Sequence, residues 1–174
     1  MPNVYSIQTI KDTTEHTVIK LTGQFDGSGQ ESNNFRIVAN TLYGALDANN
    51  VPLYSALSAS NTAKPYYGLS LYRLWYDCSS NGDVELVWSA TTPVPMFWLN
   101  GNGEYDGAGN WVAIPNNAQG TAGANGNIGV ITRNMGAGDS YTMIMELRKD
   151  NAHYQRGQFN DPAAFNYGSY ALKP

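Results

Sequence analysis

The chain has 174 residues, of which 14% are charged, and a formal net charge of −4. That length suits one domain with a real core rather than two. The acidic balance argues against general nucleic-acid binding, which needs a basic face for phosphates, and no apolar run approaches the roughly 18 residues that span a bilayer. Plentiful Gly and Asn with twelve Tyr and four Trp favour short strands and tight turns over helices.

In chain order, Met1 to Gln8 lacks the charged start and apolar run of a secretory signal, so synthesis and assembly in the cytosol are expected. Val4–Thr14 reads as a lead-in or an edge strand. Glu15–Phe25 alternates clearly, with Thr17, Ile19, Leu21, Gly23 and Phe25 on one face and Lys20, Thr22 and Gln24 opposite. Asp26-Gly27-Ser28-Gly29 ends that strand. Phe35–Ala39 reads as a second strand, and Thr41–Ala48 as one or two helical turns. Val51–Ala63 is rich in Ala and Ser at mixed spacing, and Pro65 fixes a break after it.

Leu69–Cys78 is the longest strand candidate. Leu69, Leu71 and Trp75 fall on one face by simple alternation, and Tyr72, Leu74 and Tyr76 on the other. Two apolar faces predict a central strand, or one under another subunit. Arg73 interrupts the first face and needs a partner or solvent. Cys78, the only cysteine, shares the Leu74 face and is expected as a small buried hydrophobe, consistent with a reducing compartment.

Asn81-Gly82 suits a primed hairpin turn leading into Val84–Ser89, where Val84, Leu86 and Trp88 share a face. Pro93 and Pro95 around Val94 point to an edge strand or a bulge before Met96–Leu99. Asn100–Asn110 and Asn116–Asn127 read as loops, separated by a short strand at Trp111–Ile114. Ile128–Thr132 and Ser140–Leu147 complete about eight strands, a count that favours a sandwich or barrel and, within those, a jelly roll.

Candidate chemistry is sparse. The glycine-rich stretch Asn100–Trp111 offers oxygen ligands for Ca²⁺, but its spacing is not that of an EF-hand, and a hairpin loop explains the same residues. Glu104 and Asp106 form a conceivable glycosidase pair, yet nothing in the sequence separates their environments. Trp98 and Trp111 beside them offer a sugar-stacking alternative. Gln119–Asn127 resembles a phosphate loop only in glycine content. His16 and His153 have no zinc spacing, and no Gly-x-Ser-x-Gly elbow is present. The expectation is a protein that is not an enzyme and has no cofactor or metal.

The positive signal is C-terminal. From Arg148 onward four Lys/Arg face two Asp, a basic stretch on an acidic body. Arg148, Lys149, Tyr154, Arg156, Phe159, Phe165, Tyr167 and Tyr170 have the composition of an interface hot spot and are the candidate partner-binding residues. The expected organisation is a body at 1–149 and an aromatic arm at 150–174, packed on its own body or on a neighbouring subunit.

Glu146–Gln155 followed by Phe159–Gly168 resembles the C-terminus of small virion proteins of marine tailed bacteriophages. Glu15–Gly23, and Gly103–Asp106 with Gly109–Trp111, are similar to the same family, so the resemblance covers most of the chain. It implies a virion structural component, best matched by a capsid decoration or cement protein on the outer surface of the head. The implied partner is the major capsid protein, and the implied state a homo-oligomer, with a trimer as one arrangement. No nucleic-acid or membrane partner is expected. A neck or tail component, and a carbohydrate-binding β-sandwich module, are the alternative readings.

Overall fold

A computed structural model describes residues 3–53, 62–107 and 112–155. Within them the chain forms ten strands and one 3-10 turn. In order these are β1 (Val4–Asp12), β2 (His16–Gln24), β3 (Asn34–Ile37), the turn (Ala39–Thr41), β4 (Leu69–Cys78) and β5 (Asp83–Trp88). Then follow β6 (Val94–Leu99), β7 (Asn102–Asp106), β8 (Ile114–Pro115), β9 (Ile128–Arg133) and β10 (Ser140–Lys149). All pairings between these strands are antiparallel. The first sheet runs β1-β2-β10-β4-β7, with β8 also on β4, and the second runs β3-β9-β5-β6.

Partners are nested along the chain: β2 with β10, β3 with β9, β4 with β7, and β5 with β6. A long antiparallel hairpin rolled onto itself produces this order, and the contacts β10–β4 and β9–β5 close each sheet. The result is a jelly-roll sandwich, as expected from the strand count, with β1 added as an edge outside β2. One core lies between the sheets. Ile19, Leu21, Leu71, Leu74, Met143 and Leu147 from the first sheet meet Ile37, Leu86, Trp88, Ile128 and Val130 from the second.

The alternation predicted for the second strand holds: Thr17, Ile19, Leu21 and Gly23 are buried along β2, and Phe25 just beyond it. Val94 lies in an edge strand with a register shift opposite Leu86/Val87, where the flanking prolines place it. Four expectations are corrected. Asn81-Gly82 is not a hairpin turn, because β4 and β5 belong to different sheets. Neither residue has the positive φ that a primed turn needs, and Gly82 lies against Met135, where a Cβ would come 2.2 Å from Sδ and force that side chain to shift. Asn102–Asp106 is a strand rather than loop, paired to β4. The helical turns expected at Thr41–Ala48 are replaced by the 3-10 turn and isolated bridges from Ala45, Leu46 and Asp47.

The fourth correction concerns β4. Glu146 and Leu147 are consecutive on β10, yet they pair with Arg73 and Leu71, so Tyr72 is bulged out of the ladder. The extra residue reverses the inward phase. Leu69 and Leu71 are buried before it, and Leu74 and Cys78 after it, while Arg73 and Trp75 turn outward. The strand is central in the sheet, and its outer face leaves Arg73 and Trp75 exposed. Cys78 is buried as expected, and burial pushes its thiol pKa up to about 12.

Candidate functional site

The bulge assembles a surface on the outer face of the first sheet. Register places Lys20 beside Ile144, Ile144 beside Trp75, and Trp75 beside Glu104, a row crossing β2, β10, β4 and β7. The next row holds Val18, Glu146, Arg73 and Asp106. Between them lies a groove of about 320 Å³ bordered by these side chains other than Lys20. Trp75 is 47% exposed at its centre.

Arg73 finds the partners its position demanded. Its Nε donates to Asp106 Oδ1 at 3.0 Å and its Nη1 stands 3.5 Å from Glu146 Oε2. The hydrogen bond to Asp106 raises the pKa of the guanidinium still further. Glu146 Oε1 lies 2.9 Å from His16 Nδ1, which extends the polar contacts to β2. Tyr72, displaced by the bulge, sits under the Arg148 guanidinium at 4.5 Å and beside Arg73 at 5.5 Å, with the His16 ring edge-on at 5.7 Å.

Among the predicted contact residues, Arg148 is exposed on this face. Lys149 and Tyr154 are not surface contacts, which corrects their assignment to a partner interface. The Lys149 side chain is fully buried, and its Nζ donates to the Asp12 carboxylate, to Thr13 O at 2.6 Å and to Tyr43 O at 2.8 Å. It also stands 5.2 Å from the Tyr154 ring centre. Burial lowers its pKa, and the Asp12 carboxylate opposes that shift. Tyr154 is buried, and its hydroxyl donates to Ala39 O at 2.9 Å. Gln155 N donates to Gly44 O at 2.6 Å. Asp150–Gln155 therefore dock on the body, beyond the boundary expected at 149. Arg156, Phe159, Phe165, Tyr167 and Tyr170 lie outside the described residues, as does Trp111.

The expected neighbourhood of Trp98 with Glu104 and Asp106 is not formed. Trp98 lies on β6 of the second sheet, while the two carboxylates lie on β7 of the first. The Trp98 ring is covered by the Arg133 guanidinium at 4.6 Å, and Arg133 Nη2 stands 2.9 Å from the buried Glu85. Glu104 and Asp106 instead share their surface with Trp75, a residue that simple alternation sends inward. Arg73 was the available signal, because a strand phase that buries Trp75 also buries that arginine.

No group of three or more His, Cys, Asp or Glu side chains placed to hold a metal ion occurs among the described residues. No helix among them is long and apolar enough to cross a membrane. Comparison of the chain with family models, curated proteins and solved structures finds no match.

Proposed function

We propose that this protein is a structural component of a tailed-phage virion that decorates and stabilises the head, with the major capsid protein as its partner. The observation that carries the proposal is how far the body extends along the chain. Lys149 and Tyr154 are buried in it, so Arg156, Phe159, Phe165, Tyr167 and Tyr170 follow in sequence a segment already docked on the core. Aromatic and arginine side chains of that kind are typical anchors of protein interfaces. The likeness of this stretch to virion proteins of marine tailed phages supports the same reading, and jelly rolls are widely used by viral capsid proteins.

The outer edge of β1 adds a second surface suited to assembly. Val4, Ile7 and Ile10 are each more than half exposed on an edge strand whose far side pairs with no other strand among the described residues. Co-sedimentation with purified phage heads tests the proposal. The full chain is expected to pellet with heads, and a chain ending at Gln155 to stay in the supernatant. A full chain that binds tails and not heads would assign it to the neck or tail instead.

A further inference from the structure

We infer that the outer face of the β2-β10-β4-β7 sheet is a binding site for a neutral glycan, with one pyranose ring stacked on Trp75. None of its lining residues belongs to the 156–174 stretch assigned to capsid contacts, and the site does not rest on that assignment. Its first support is the bulge at Tyr72. Without the extra residue Trp75 would share the inward phase of Leu69 and Leu71 and enter the core. A bulge that re-aims one side chain is a recurrent device beside binding and active sites. Here it leaves an indole 47% exposed in the middle of a sheet.

The surroundings of that indole set the ligand class. The C–H face of a pyranose packs on an aromatic ring, and its hydroxyls then point sideways into the plane of the platform. There they meet Glu104 directly beside Trp75 on β7, Asp106 and Arg73 in the next row, and Glu146 beyond. Glu104 has no hydrogen-bond or ion-pair partner among the described residues, so its oxygens are available to hydroxyl donors. Arg73 is held by Asp106 and Glu146, so its donors are oriented before a ligand arrives. Ile144 and Val18 complete the apolar floor.

The groove volume of about 320 Å³ falls at the lower end of the roughly 300–1,000 Å³ typical of small-ligand sites. It suits one sugar ring, with the open ends of the row along Lys20 and Glu104 left for flanking units. Three carboxylates against one guanidinium leave the groove lining acidic, which favours neutral sugars over uronic or sialic acids.

The test is isothermal titration of the full chain with neutral gluco-, manno- and chito-hexaoses, and with trigalacturonate as the acidic probe. At least one neutral series is expected to bind and the acidic probe to bind more weakly. Trp75→Ala is expected to weaken binding by at least about tenfold, and Glu104→Gln by about threefold, with the melting temperature unchanged because both side chains are exposed. Absence of binding by every neutral series, equal binding by Trp75→Ala, or tighter binding of trigalacturonate would each overturn the inference. Head binding is read separately, so those outcomes leave the virion proposal standing.

Discussion

Lys149, the last residue of β10, is salt-bridged to Asp12, the last residue of β1. The pair ties the final strand to the edge strand across β2. Through Thr13 O and Tyr43 O it also fastens the β1–β2 turn and the segment after the 3-10 turn. A buried ammonium is costly unless its donors are satisfied, and here each has an acceptor. Removing it takes a charged donor from the Asp12 carboxylate, which keeps only the Tyr43 N–H at 2.8 Å among the hydrogen bonds described, and from the Thr13 and Tyr43 carbonyls. Lys149→Ala is expected to cost about 3–5 kcal/mol, seen as a melting temperature lower by roughly 10 °C. A shift under about 2 °C would show that the pair contributes nothing net.

The same geometry separates two truncations. Ending the chain at Lys149 deletes buried Tyr154 with its hydrogen bond to Ala39 O, whereas ending it at Gln155 keeps both. The shorter chain is expected to lose about 3–5 kcal/mol, the cost of emptying a large aromatic site. The longer one is expected to unfold in urea at nearly the full-length midpoint. Equal midpoints for the two would contradict this account of where the body ends.

A second buried ion pair links the two sheets. Glu31 has a fully buried side chain, accepts from Arg36 Nε at 2.9 Å and from the Tyr141 hydroxyl at 2.6 Å, and Arg36 also stacks 4.2 Å from the Tyr5 ring centre. Arg36→Ala strands a buried carboxylate and is expected to cost about 3–5 kcal/mol, while Tyr141→Phe removes one hydrogen bond and is expected to cost about 1–2 kcal/mol. Equilibrium unfolding of the two variants checks the order. The reverse ranking would place the main support of Glu31 on the tyrosine.

Alkaline stability follows from the buried acids. Burial pushes Cys78 from an ordinary 9.0, and Tyr66 from an ordinary 10.0, to about 12 in each case, and it raises Tyr141 and Tyr154 as well. Their folded values lie above their unfolded ones, so the stability they contribute is complete below about pH 9 and is lost as pH rises from there. Lys149 acts in the opposite sense, because its lowered folded value favours folding as pH approaches 10.5. With Tyr5 and Tyr67, which burial also raises, six raised acids among the described residues outweigh one lowered base. Unfolding free energy is expected to begin falling near pH 9, with the first decline from Cys78 at up to about 1.4 kcal/mol per pH unit. Cys78→Ala should delay the decline to near pH 10, and an unchanged onset would exclude the thiol as its source.

Much of this fold was legible in the residues. Ile19, Leu21, Met143, Met145 and Leu147 alternate without interruption, and both strands formed where that pattern lay. Lys149 continues the inward phase of Tyr141 to Leu147, so its burial was written in the alternation, although its charge argued for the surface. Tyr154 carried no such signal, since its burial depends on Ala39 and Ala45 from a distant segment. Simple alternation sends Trp75 inward because the Tyr72 bulge exists only through the register with β10. Asn102–Asp106 looked like loop because Gly and Asn weaken strand propensity, and pairing with β4 overrides that preference.

The central claim is that the protein belongs to the phage head, and the most direct measurement is a reconstruction of intact particles with this chain located in it. The account predicts hundreds of copies on the outer surface of the shell, each contacting the major capsid protein. Six or twelve copies confined to the neck or tail, or a particle without the chain, would contradict it.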